Sequence, residues 1–177
     1  MAEPWRPTRE ELAAAVGRTI SDVVAPDLAV LFCGINPSLY SGAVGHHFAR
    51  PGNRFWKALH LSGFTDRELS PFEDTTLLRY GLGVTNLVPR TTAAADELAD
   101  EELREGARRV EALVRRLRPR VLVVLGTVAY RKGFGEPNAV IGEQPSRIDT
   151  TAVWLLPNPS GRTAAYQLPD LVELFGE

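Results

Sequence analysis

Short, uninterrupted apolar runs alternate along the chain with amphipathic stretches. Leu28 to Cys33 is one such run, closed by Gly34. Val121 to Leu125 is another, closed by Gly126, and Val153 to Leu156 ends at Pro157. Apolar runs of this length without polar alternation are how strands covered on both faces read. Gly83 to Val88 reads as a further short strand. Between these runs the pattern changes to a helical one. Leu103, Ala107, Val110, Val114 and Leu117 recur every three or four residues, with Arg or Glu on the other face, which predicts a helix over Asp100 to Arg118 that Pro119 stops. Thr8-Arg9-Glu10-Glu11 has capping-box spacing and opens a short helix to about Val16, ended by Gly17, after which the chain leads in to about Pro26. Further helices are expected over Asn53 to Ser62, Leu69 to Tyr80, Val128 to Phe134 and Leu168 to Phe175. Gly42, Gly45, Pro51 and Gly52 predict a long irregular loop before Asn53.

Helices that alternate with buried strands predict an α/β fold: a three-layer α/β/α sandwich around a central, mostly parallel sheet of four to five strands. With no repeat, low-complexity tract or linker, residues 1–177 read as a single domain, 1–26 being an N-terminal helix and lead-in. Ligands of such sheets bind beyond the carboxyl ends of the strands. Three loops fall there, Gly34 to Ser38, Asn86 to Thr92 and Asn158 to Arg162, rich in Asn, Ser, Thr and Arg.

Composition narrows the chemistry. At 44% hydrophobic and 24% charged residues the chain reads as an ordinary folded domain. No apolar run approaches the ~20 residues of a membrane helix, so no membrane partner is expected. The first residues lack a secretory pattern, so the expected location is cytoplasmic. One cysteine, Cys33, excludes a disulfide or cysteine-held cluster within the chain and reads as a small buried apolar residue. His46, His47 and His60 have no ligand-like spacing, so no metal is expected. A net charge of −2 argues against a protein that coats nucleic acid by bulk charge but leaves room for a local basic face.

Four segments carry the functional signal. Gly34-Ile35-Asn36-Pro37-Ser38 follows the first strand, and Phe48-Ala49-Arg50-Pro51-Gly52-Asn53-Arg54-Phe55-Trp56 comes next. Gly83-Val84-Thr85-Asn86-Leu87-Val88-Pro89-Arg90-Thr91-Thr92 spans the second strand, and Asn158-Pro159-Ser160-Gly161-Arg162 follows the last. In this order they resemble the mismatch-specific uracil/thymine-DNA glycosylases of the uracil-DNA glycosylase superfamily, from about Leu28 to near the C-terminus.

The resemblance implies a cofactor-free, monomeric enzyme of base excision repair that acts on double-stranded DNA holding a G·U or G·T mismatch. The expected setting is bacterial-type, on the nucleoid when DNA-bound. Asn36 matches the residue that orients the attacking water, the other reading being a loop-capping Asn before Pro37. An amide holds water without taking its proton, which implies slow chemistry driven by leaving-group stabilisation. Gly34 and Ile35 share the base site, and Phe48 matches the aromatic that stacks on the flipped base, with core packing as the other reading. His46 and His47 stand where some relatives have more apolar residues, and neither is given a catalytic role. Asn86 matches a site-facing Lys or Asn, and a plain turn residue is an equal reading. Asn158 is expected to anchor the loop or contact the site. Ser160, Gly161, Arg162 and Thr163 match the loop that enters the duplex. Arg162 is either a wedge in the vacated stack or a phosphate contact. Ser38, Tyr40 and Ser41 are candidate phosphate ligands, as hydroxyls that also cap turns. Asp96 has two readings, a general base near the water or a solvated start to the long helix.

Three alternatives compete with this resemblance. Iron–sulfur branches of the superfamily need several cysteines, and the efficient uracil-excising branch has Asp-Pro where Asn36-Pro37 stands here. A non-catalytic binder of damaged DNA would not need the intact first motif. A nucleotide-using enzyme would want a glycine-rich phosphate loop, and Pro37 removes a donor where phosphate needs one.

Overall fold

The computed structural model describes residues 6–160 and 168–176. Its described strands form one five-stranded sheet in the order β2-β1-β3-β5-β4, from β1 (Val30–Gly34), β2 (Leu82–Asn86), β3 (Val121–Leu125), β4 (Gly142–Ile148) and β5 (Thr151–Leu156). Neighbours pair in parallel except β4, which runs antiparallel to β5 at the edge. The helices are α1 (Arg9–Ala14), α2 (Leu39–Val44), α3 (Phe55–Leu61), α4 (Asp100–Leu117), α5 (Thr127–Gly133) and α6 (Leu168–Phe175). None of the described helices is long and apolar enough to cross a membrane.

The apolar runs become buried strands because alternate residues feed two cores. Leu31, Cys33, Leu122, Val124, Val153 and Leu155 face a cluster completed by Val110, Val114 and Tyr130 from α4 and α5. Phe32, Val84, Val123, Leu125 and Leu156 face the other way, onto Phe55, Leu59, Leu77 and Phe175. The sheet is thus covered on both faces, as the α/β/α reading requires. Since β1 lies between β2 and β3, the connections leaving β1 and β3 diverge to opposite sides, and a crevice opens at the carboxyl end of β1. Asn36 sits just beyond that end.

Four elements differ from the expectation. The loop expected before Asn53 contains α2, which Ser38 caps through a bond from Ser41 N to its hydroxyl (3.2 Å) and which Gly45 ends at φ +79°. Leu69 to Tyr80, expected as a helix, is a 3₁₀ segment over Pro71–Tyr80 with Glu73 outside the helical region (φ −104°, ψ 21°). There the chain tightens to turn Asp74 inward, where its carboxylate accepts from His47 N (3.2 Å). The antiparallel strand β4 was not foreseen. It reads polar, contains Pro145 and shifts register between Glu143 and Arg147, features of an edge strand that resists pairing with other chains. Finally, β5 starts at Thr151 rather than Val153.

The lead-in after α1 is fastened along β2. Val23 and Val84 exchange backbone bonds of 2.9 and 2.8 Å, and Thr91 N and Oγ1 both donate to Arg18 O.

Val110, fully buried at the centre of α4, tests whether this face is packed as described. Val110→Ala should lower unfolding stability by about 2 kcal/mol, since the lost burial and the cavity outweigh alanine's better helix propensity. Arg108→Ala, on the exposed face of the same helix, should change it by less than about 0.5 kcal/mol. Urea denaturation of both variants checks this.

Candidate active site

At the carboxyl rim of β1 and β2 a cavity of about 270 Å³ opens. This is just under the usual small-ligand range of about 300–1,000 Å³. Gly34, Ile35, Asn36, Phe48, Asn86 and Asn158 all line it, so the residues expected at the base site converge.

Asn36 has a single permitted orientation. Its Nδ2 donates to Arg90 O (3.0 Å) and to Thr92 Oγ1 (2.8 Å). A backbone carbonyl can only accept. The Thr92 hydroxyl proton is already donated to Ala94 O (2.8 Å), so that hydroxyl must accept from Asn36 as well. Both amide protons are therefore engaged, and the acceptor Oδ1 is the group left for the cavity. The arrangement is braced by Thr92 N donating to Pro37 O (3.2 Å). Thr92, a residue to which the sequence reading gave no role, is what aims the amide.

Asn86 ends β2 and is 6% exposed. On its backbone side Arg109 of α4 donates to Asn86 O, while Asp22 lies 3.6 Å from Arg109 and accepts from Thr85 Oγ1 (2.8 Å). Its side chain runs between His47 and Gly34. Asn86 Nδ2 stands 3.5 Å from His47 Nδ1. A Cβ added at Gly34 would lie 2.5 Å from Asn86 Oδ1 and 3.3 Å from Phe48 Cζ. Gly34 is thus required by close approach, because any side chain there would displace both cavity residues. His47 also lines the cavity and is 2% exposed; burial foremost pulls its pKa down, against upward pulls from its Ser21 bond, Asp74 and Asp22.

Phe48 holds a left-handed backbone, φ +52°, unusual for an aromatic residue. Such strain persists only where the surroundings over-determine it. Here His47 N is held by Asp74, His47 O accepts from Trp56 Nε1 (3.2 Å), and Ala49 N donates to Ser41 Oγ (3.0 Å). The Phe48 ring lies 4.2 Å from that of Phe55 at 28°, a stacked pair, and also lines the cavity. Phe55 backs the ring as a platform for a planar ligand.

The third rim loop is held from below. Arg54 donates through N and Nε to Pro159 O (3.0 and 3.2 Å) and through Nη2 to Ser160 O (2.7 Å). Asn158 Oδ1 accepts from Ser160 N (3.0 Å). Ser160 and Asn158 thereby reach the cavity wall. Gly161, Arg162 and Thr163 lie outside the described residues.

The hydroxyls cap and brace the local turns. Ser38 lines the cavity but caps α2, and Ser41, 2% exposed, holds the Phe48 loop through Ala49 N. Ser41 lines the cavity as well, with its hydroxyl engaged by Ala49 N. Tyr40, on α2, is half-buried and outside the cavity wall. Asp96 is exposed within a 3₁₀ turn (Ala95–Glu97) just before α4 and also lines the cavity, so both readings stay open. Cys33 is fully buried, its thiol pKa pushed up to about 12 by burial, and is a packing residue.

Asn36, Phe48 and Asn86, each from one of the motif segments, line one cavity. The sequence profile of the Uracil DNA glycosylase superfamily matches residues 21–175, nearly the whole chain. The chain belongs to the uracil DNA glycosylase superfamily, whose members hydrolyse N-glycosyl bonds in DNA.

Proposed function

We propose that this protein is a monofunctional, mismatch-directed DNA glycosylase. It turns uracil opposite guanine out of duplex DNA, hydrolyses its bond to the sugar and leaves an abasic site for base excision repair. The observation that carries the reading is the Asn36 amide, whose two protons are engaged by Arg90 O and Thr92 Oγ1 so that Oδ1 faces the cavity. Accepting a bond from water, Oδ1 orients the water's lone pair towards the anomeric carbon. It cannot remove the proton, so the bond to the base must be largely broken before water adds. The sugar then carries oxocarbenium character, and the departing base carries negative charge that needs hydrogen-bond donors. Asn86 stands where it can donate to the base while Phe48 stacks on its face.

Arg162, with Gly161 and Thr163, is proposed to fill the gap left in the stack and to contact the orphaned guanine, offsetting a few kcal/mol of lost stacking. Much of the preference for a mismatch then comes from the lower cost of extruding a mispaired base. Thymine or etheno-cytosine opposite guanine enters the substrate range only as far as the cavity tolerates it. A second reading of the chemistry has Asp96 as general base, favoured by its place on the cavity wall.

The deciding experiment is single-turnover excision from duplexes with uracil, thymine or etheno-cytosine opposite each base. Release of uracil from the G·U duplex at the highest rate is expected, and equal rates opposite all four bases would remove mismatch selectivity. Asn36→Ala should cut the G·U rate at least roughly tenfold with DNA binding retained. Thr92→Val, which removes the acceptor that aims Asn36, should lower it in the same direction, whereas Thr92→Ser should stay near the parent. An unchanged rate in Asn36→Ala takes that residue out of the mechanism. Asp96→Asn should leave the rate within a few-fold of the parent if water is held by the amide alone. A loss of roughly 10²-fold or more, in the range of general-base effects, would assign the base role to Asp96.

A further inference from the structure

We propose that Ile20, in the lead-in between α1 and β1, is a specificity-determining residue of the active site. It forms one wall of the cavity and limits the size of the base that can enter. Ile20 stands just ahead of residues 21–175, the stretch matched by the superfamily profile, and outside all four motif segments. The proposal rests on the glycosylase reading and extends it to substrate size.

Ile20 is half-buried and lines the same cavity as Asn36, Phe48 and Asn86. The chain is fastened on both sides of it. Upstream, Gly17 N donates to Thr91 O (3.0 Å), and Arg18 O accepts from Thr91 N (2.9 Å) and from Thr91 Oγ1 (2.7 Å). Thr91 is itself fully buried and packs so closely on Gly42 of α2 that a Cβ there would run into it. Downstream, Ser21 O accepts from His47 Nε2 (2.8 Å), Asp22 accepts from Thr85 Oγ1 (2.8 Å), and Val23 is bonded to Val84. Before Gly17, α1 is opened by the Thr8–Glu11 capping box and packs against α2. Thr19 and Ile20 span the gap between the anchors at Arg18 and Ser21, so the place of Ile20 is set from both ends.

An aliphatic wall acts by shape. It has no donor or acceptor, so it separates bases by what they carry beyond the pyrimidine ring. A close-packed wall yields little to an added group, whereas a shortened side chain leaves space that its surroundings fill only in part. Shortening Ile20 therefore admits pyrimidines enlarged by a methyl group, a hydroxymethyl group or a fused etheno ring, and it costs uracil some of its contact. Enlarged pyrimidines are the class of base that Ile20 turns away.

Two measurements on the full chain test this. The first is single-turnover excision from duplexes with uracil, thymine, 5-hydroxymethyluracil or etheno-cytosine opposite guanine. The cost of extruding each base is the same for parent and variant, so a changed ratio of rates reports the cavity. Ile20→Ala should raise release of at least one enlarged base relative to uracil by roughly tenfold, the scale on which apolar pockets resolve a methylene. Ile20→Val should fall between the two. Unchanged ratios for all three enlarged bases overturn the proposal. The second measurement fills the cavity instead. The one native cysteine, Cys33, is fully buried with its thiol pKa pushed up to about 12, so Ile20→Cys can be modified selectively with methyl methanethiosulfonate and restored by reduction. The mixed disulfide should slow uracil release at least roughly tenfold, and reduction should restore it. The same treatment of Val16→Cys, at a position 61% exposed, should leave the rate unchanged. Equal rates for the modified and reduced Ile20→Cys protein overturn the proposal even where Ile20→Ala fails to fold. A parent that releases uracil from no duplex sinks the glycosylase reading and the proposal with it, whereas an active parent with unchanged ratios in Ile20→Ala sinks the proposal alone.

Discussion

A backbone carbonyl cannot exchange its role as acceptor for that of donor, and the polar wall of this cavity is oriented by that fact. Arg90 O takes one Asn36 proton, and Ala94 O takes the Thr92 proton and so forces Thr92 to accept the other. Ser21 O takes the His47 ring proton and so leaves a lone pair towards Asn86. In each chain of contacts the first acceptor is main chain, placed by the fold. The side chain facing the cavity has no choice left.

This makes the parallel sheet more than a scaffold. Arg90, Thr92 and Ala94 belong to the loop leaving β2. Ser21 belongs to the lead-in, which β2 holds through Val23 and Val84. Asn36 leaves β1, the neighbour of β2 in register from Val30 opposite Leu82 to Gly34 opposite Asn86. A shift of that register by one residue would turn every side chain of β2 to the other face and separate these acceptors from their amides. The strain at Phe48 depends on the same frame. Asp74 and Ser41 hold the amides on either side of it, and Asp74 is turned inward only because the segment over Pro71–Tyr80 winds as a 3₁₀ helix.

What could be read from the chain follows the same division. The apolar runs at Leu28–Cys33, Val121–Leu125 and Val153–Leu156 showed buried parallel strands because burial on both faces leaves no room for polar residues. The long helix was visible in its period. Asn36, Phe48, Asn86 and Asn158 were legible through motifs, and the cavity gathers them. Edge strand β4 was not legible, because an edge needs only one buried face and here shows it at Gln144 and Ile148 alone. Helix α2 was hidden by Gly42, which reads as a loop residue but is there because a side chain would run into Thr91. Thr92 and His47 were hidden more deeply. Their roles depend on where a proton sits, and that is set by carbonyls of Ala94, two residues away, and Ser21, twenty-six away.

An active site of amides so fixed has a particular chemical character. Neither Asn36 nor Asn86 titrates near neutrality, so neither switches off with pH, and neither supplies a strong push. On the proposed reading Asn36 would hold water without activating it, so the rate would have to come from departure of the base. Selectivity for a mispaired base would then fall largely on the duplex, through the cost of opening each pair, with the cavity testing only what the duplex gives up.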